Sequence, residues 1–203
     1  MLFGPAGAWG CGLGSVISDL FGTLSPGTLF GFLGNFAMAF VPYYLWRKTG
    51  LVSSSDPEPF HINTWKKRVN FILFAVLCAI VCTLIIAWGL QLLGLMPFMV
   101  IAVILLANNL IPTLILSLPL MLVLYPRIKS WGLFWTDVMG QEGTRLNSVG
   151  SYGGTIMIIS GICLGYTGGI IECLYFSGSG LISGGIGIGM ILIGSQIKKF
   201  DKI

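Results

Sequence analysis

The chain has 203 residues, of which 55% are hydrophobic and only 9% charged, with a formal net charge of +4 and a mean hydropathy of +0.92. A soluble domain dresses its surface with about 25% charged residues, so this composition excludes an ordinary soluble fold and makes lipid the principal solvent. The positive excess lies in clusters between apolar runs, which is a pattern of membrane topology and no argument for nucleic acid binding.

The first apolar run, Leu2–Leu24, is glycine-rich, contains Asp19, and is just long enough to cross a bilayer; a re-entrant hairpin is the alternative reading. No Lys or Arg precedes it and no small-residue cleavage site follows, so it is not expected to be a signal peptide. The turn Ser25-Pro26-Gly27 separates it from a second span, Thr28–Trp46. From Val69 to Leu124 there is no charged residue. As one helix this stretch would be roughly 85 Å long, against a hydrocarbon core of about 30 Å. It must therefore fold back, and Gly94-Leu-Met-Pro97 marks the place, because proline ends one helix and can begin the next. This predicts spans at Lys67–Leu95 and Pro97–Tyr125. The stretch Ser130–Asn147 mixes Trp131, Leu133, Phe134, Val138 and Met139 with Asp137, Glu142 and Arg145, the pattern of a short helix lying along the membrane surface. Two further glycine-rich spans, Val149–Ile171 and Leu174–Ile197, complete the chain. The fold class is all-α: one polytopic membrane domain over residues 1–203, a bundle of about six transmembrane helices.

All eleven basic residues fall in three groups. Arg47, Lys48, Lys66, Lys67 and Arg68 bracket the loop between spans two and three; Arg127, Lys129 and Arg145 lie between four and five; Lys198, Lys199 and Lys202 close the chain. Six spans put all three groups on one face, which the positive-inside rule makes cytoplasmic. Both termini are then expected in the cytoplasm of a cell-membrane protein, with Trp46, Trp65, Trp131 and Trp135 as an interfacial belt.

No catalytic constellation is present, so an enzyme is not expected. The five cysteines form no C-x-x-C pair, and the single histidine, His61, sits in a polar loop, so neither metal nor cofactor is expected. What remains is a few polar groups at membrane depth: Asp19, Asn35, Asn108, Asn109 and Glu172. Such groups are costly in lipid and usually have a reason. One reason is interhelical hydrogen bonding, worth about 0.6–2 kcal/mol; the other is a polar pocket for a small solute, with Asp19, Asn35, Asn108 and Asn109 as candidate substrate-binding residues. Glycine is the other anomaly, 29 residues in all. Spacings of four at Gly10/Gly14, Gly161/Gly165/Gly169 and Gly180/Gly184 mark close helix packing, because small residues let backbones approach in lipid.

The run Phe3-Gly-Pro-Ala-Gly-Ala-Trp9, then Ser18-Asp19-Leu-Phe-Gly22, Gly31-Phe-Leu-Gly-Asn35-Phe36, and Tyr44-Leu-Trp-Arg47-Lys48 resembles the substrate-binding S components of energy-coupling factor vitamin transporters. The riboflavin-type members open their third helix with Gly-Pro and carry Asn-Phe in the fourth. Asn109-Leu-Ile, followed by Leu124-Tyr125-Pro-Arg127, is similar to their sixth helix. The resemblance covers about residues 3–129, four spans, and leaves the glycine-rich spans 149–197 outside the usual plan. Pro112 stands where riboflavin-type members have a lysine, which argues against that ligand, and their first two helices have no counterpart before Met1. The resemblance implies a small-solute binding subunit, for a vitamin or nucleobase-like cargo, working with a coupling subunit and separate ATPases. Its pocket would lie toward the outer leaflet. The alternative function is a non-transporting accessory subunit of a larger membrane complex.

Overall fold

The computed structural model describes residues 2–22, 24–46, 61–139, 148–175 and 179–196. Seven helices are formed among them: α1 (Gly4–Phe21), α2 (Gly27–Leu45), α3 (Trp65–Leu92), α4 (Phe98–Ser130), the short α5 (Trp135–Met139), α6 (Ser148–Tyr175) and α7 (Ser179–Gln196). The expected all-α bundle is what is found, with six long helices. By length and composition α3 and α4 are each able to cross a membrane, and α6 and α7 contain shorter apolar stretches at Ile156–Ile171 and Ile182–Gly194.

The helix breaks follow from local chemistry. Between α1 and α2 the Thr28 N–H donates to the Ser25 carbonyl at 2.9 Å and the Gly27 N–H to the Ser25 hydroxyl at 3.2 Å, which occupies donors a helix start would leave unpaired. Between α3 and α4, Gly94 takes φ +67°, a left-handed conformation that a side chain disfavours. Pro97 then caps α4, and the Gln91 side-chain oxygen accepts the Phe98 N–H at 2.6 Å.

Helices α1 to α4 run antiparallel in chain order, each packed on the next, and the α6–α7 hairpin leans on α3 and α4. Helix α3 is the core: 61% of its most apolar stretch is buried, against 11% for α4, which turns Val103, Ile104, Ile115, Leu116 and Val123 outward. An apolar face of that extent suits lipid or another subunit. The ends of α1 (N-terminal), α2 (C-terminal), α3 (N-terminal) and α4 (C-terminal) meet at one end of the bundle, where the Asn70 amide donates to the Trp46 carbonyl at 3.3 Å and Asn70 is wholly buried. Lys66, Lys67, Arg68, Arg127 and Lys129 belong to this basic end. Arg47, Lys48, Arg145 and the C-terminal lysines lie outside the described residues, as does Glu142.

One boundary changes. Helix α4 continues past Tyr125 and Pro126 to Ser130, because Ile128 is needed in the core. In the stretch after it, expected along the membrane surface, Trp131, Leu133, Val138 and Met139 are exposed while Phe134 and Trp135 turn into the bundle. Phe134 and Trp135 are buried, the Trp135 ring stands edge-on to Tyr43 at 4.8 Å, and the Trp135 backbone N–H donates to the Leu2 carbonyl at 3.2 Å. The segment caps the basic end of the bundle.

Glycine contacts are concentrated at the hairpin. A Cβ on Gly187 would meet the Gly161 carbonyl, and Gly165 N at 2.8 Å, so α6 and α7 touch backbone to backbone. Gly165 also faces Leu84 of α3, Gly169 faces Phe98 of α4, and Gly184 faces Trp88 of α3. Around Gly10 and Gly14 there is open space; both are exposed. The surroundings of Gly180 lie outside the described side chains, as does the side chain of Glu172.

Candidate functional site

A cavity of about 860 Å³ lies between α1, α2, α3 and α4. Its size is that of a small-molecule site. Small residues create it: Ala6, Gly7 and Gly10 of α1, Ala39 of α2, and Ala75 and Cys78 of α3 face a space that larger side chains would fill. Phe3, Phe71 and Phe74 supply aromatic surface. The cavity occupies the half of the bundle nearer the basic end, since it takes the start of α1 and α3 and the ends of α2 and α4. Toward the other end of the bundle Phe32 seats over Gly12, and Phe30 stands edge-on to Trp88 at 5.9 Å.

Few polar groups face this space. Asn35 is one; its amide N–H donates to the Gly31 carbonyl at 2.9 Å, which leaves its side-chain carbonyl and second N–H uncommitted. Across the cavity on α4 are Thr113 and Ser117, the latter donating its hydroxyl back to the Thr113 carbonyl. Asn35 therefore shares the cavity with two hydroxyls of α4, while α2 and α4 pack on α3 and face each other across the void.

The other candidate residues lie elsewhere. Asp19 sits toward the opposite end of α1, half-buried over Gly31. Asn108 is exposed. Asn109 is half-buried, its amide nitrogen enclosed beside the Cys82 thiol. Neither Asn108 nor Asn109 lines the cavity; both lie more than a helical turn beyond Thr113's end of it on α4. Thr113 and Ser117 were not singled out from sequence, because hydroxyl residues inside helices commonly satisfy themselves and carry no spacing signal. Among the described residues no group of three or more His, Cys, Asp or Glu side chains could hold a metal ion.

The family model described as QueT transporter matches residues 1–126. Searches of curated proteins and of solved structures return no significant match. The matched region takes in α1 to α3 and α4 as far as Pro126, the four helices that enclose the cavity, and leaves α6 and α7 outside. Covering well over half of the chain, the match shows that this protein belongs to the QueT transporter family, whose members are S components of energy-coupling factor transporters, membrane subunits that bind substrate and not enzymes.

Proposed function

We propose that this chain captures a queuosine precursor, the cargo associated with QueT transporters, in the cavity between α1 and α4. The observation that carries the reading is Asn35 facing Thr113 and Ser117 across an otherwise apolar space walled by Phe3, Phe71 and Phe74. A planar, nucleobase-like solute needs ring surfaces to stack on and a few edge hydrogen bonds, which is what these residues offer. Asp19, Asn108 and Asn109 are assigned supporting roles outside first contact with the solute. No nucleotide-binding motif occurs in the sequence, so the energy for transport comes from separate ATPases through a coupling subunit. The basic end faces the cytoplasm, with six crossings and both termini inside.

The test is equilibrium binding of a queuosine precursor to purified protein. Wild type should bind saturably. Asn35→Leu should lower affinity roughly tenfold to a hundredfold, because a ligand polar group left unpaired costs about 1–3 kcal/mol, while the melting temperature stays close to wild type. Equal affinity in the variant would remove Asn35 from the site.

A further inference from the structure

Pro42 lies inside α2, where a proline has no N–H to give to the carbonyl four residues earlier. That carbonyl belongs to Met38. In an α-helix the donor at i+4 and the acceptor at i lie on the same face. Met38 and Pro42 both line the cavity, so the gap in the helix ladder is on the cavity side. One turn on the ladder resumes, the Trp46 N–H donating to the Pro42 carbonyl at 3.1 Å. Helix α4 makes the contrast clear. Its prolines at 112, 119 and 126 likewise deprive Asn108, Ile115 and Leu122 of their i+4 donors, yet none of those three residues lines the cavity.

We infer that the Met38 backbone carbonyl is a specificity-determining acceptor for the solute, receiving an N–H from the ring edge of a nucleobase-like cargo. This deepens the cavity reading and rests on it. Asn35 lies about one turn before Met38 on α2 and also lines the cavity, so a side-chain amide and a bare carbonyl stand about 5 Å apart along the helix axis. A carbonyl lacking its helical donor gains more from a ligand N–H than a satisfied one, because it has no internal bond to share or give up. The pair matches a heterocycle that carries an N–H beside a second polar edge atom. It discriminates against rings methylated at that nitrogen, which lose the donor and add bulk.

The experiment measures binding of a queuosine precursor and of a set of its analogues, each with one ring N–H replaced by N–CH3. The proteins are wild type, Pro42→Ala and Pro119→Ala. Pro42→Ala returns an N–H to the helix and so occupies the Met38 carbonyl internally; circular dichroism confirms that the helix content is kept. For one analogue, wild type should lose about tenfold or more in affinity. Pro42→Ala should bind the parent compound several-fold more weakly and bind that same analogue nearly as well as the parent. Pro119→Ala, whose freed carbonyl at Ile115 lies away from the cavity, should keep the wild-type discrimination. If every methylation penalty is the same in wild type and Pro42→Ala, or if Pro42→Ala keeps full affinity for the parent, the Met38 acceptor is refuted while the cavity stands. If wild type binds no precursor, or Asn35→Leu binds it as wild type does, the cavity reading falls and the acceptor falls with it.

Discussion

Gly187 and Gly189 lie two residues apart on α7 and make a matched pair. A methyl group at Gly187 would meet the Gly161 carbonyl and would stand 2.8 Å from the Gly165 nitrogen and 3.1 Å from its Cα. These are backbone atoms of α6, so no side-chain rotation relieves the clash and the two helices must move apart. Overpacking of this kind costs about 1–3 kcal/mol. A methyl group at Gly189 meets nothing within 4 Å. Both alanines gain the same intrinsic helix preference, about 0.5–1 kcal/mol, so that gain cancels between them. The expected difference is therefore the overpacking cost alone, about 1–3 kcal/mol. At about 2–4 °C per kcal/mol for a chain of this size, Gly187→Ala should melt several degrees below Gly189→Ala. Thermal denaturation of the two proteins in one detergent, followed by tryptophan fluorescence, measures it. Equal melting temperatures would mean that α6 and α7 do not touch through Gly161, Gly165 and Gly187.

Other consequences are checked separately. Asn70→Leu leaves the Trp46 carbonyl without this donor at the buried junction of α2 and α3, and should destabilise the protein by about 1–3 kcal/mol, read as a lower melting temperature. In a cysteine-free background, Ser25→Cys should react with an impermeant thiol reagent added outside intact cells, and Ser130→Cys, at the opposite end of the bundle, should react only after lysis. Labelling of Ser130→Cys from outside would reverse the orientation.

Much of the helix plan was legible because it rests on single residues with strong local rules. Gly94 and Pro97 break the long apolar run at the expected place, since one adopts a positive φ and the other cannot continue the helix ladder. Packing was less legible. A spacing of four says that a helix presents small residues on one face, and it does not say what meets that face. Gly161, Gly165 and Gly169 meet other helices, Gly10 and Gly14 meet open space, and the glycine of α7 in backbone contact is Gly187, which belongs to no such spacing. The fate of Phe134 and Trp135 shows the same limit. An amphipathic pattern does not say which of its apolar residues turn to the bundle: Trp135 and Phe134 meet Tyr43 and Tyr125, while Trp131, Leu133, Val138 and Met139 stay exposed. In the candidate site, Asn35 stands out by chemistry alone, because an amide is costly at membrane depth. Its juxtaposition with Thr113 and Ser117 depends on how α4 is rotated about its axis, which its nearly uniform apolar sequence does not encode. The cavity lies in the basic half because small residues are gathered there, a property of four helices together that no single stretch displays.

The location of the bound solute is the most direct test. A photoreactive queuosine precursor would be cross-linked to the purified protein, with unmodified precursor as competitor, and the adducts mapped by peptide mass spectrometry. The account predicts competed adducts within 35–42 of α2 and 113–124 of α4. Adducts confined to the opposite half of the bundle, around Asp19, residues 27–31 and residues 84–105, would contradict it.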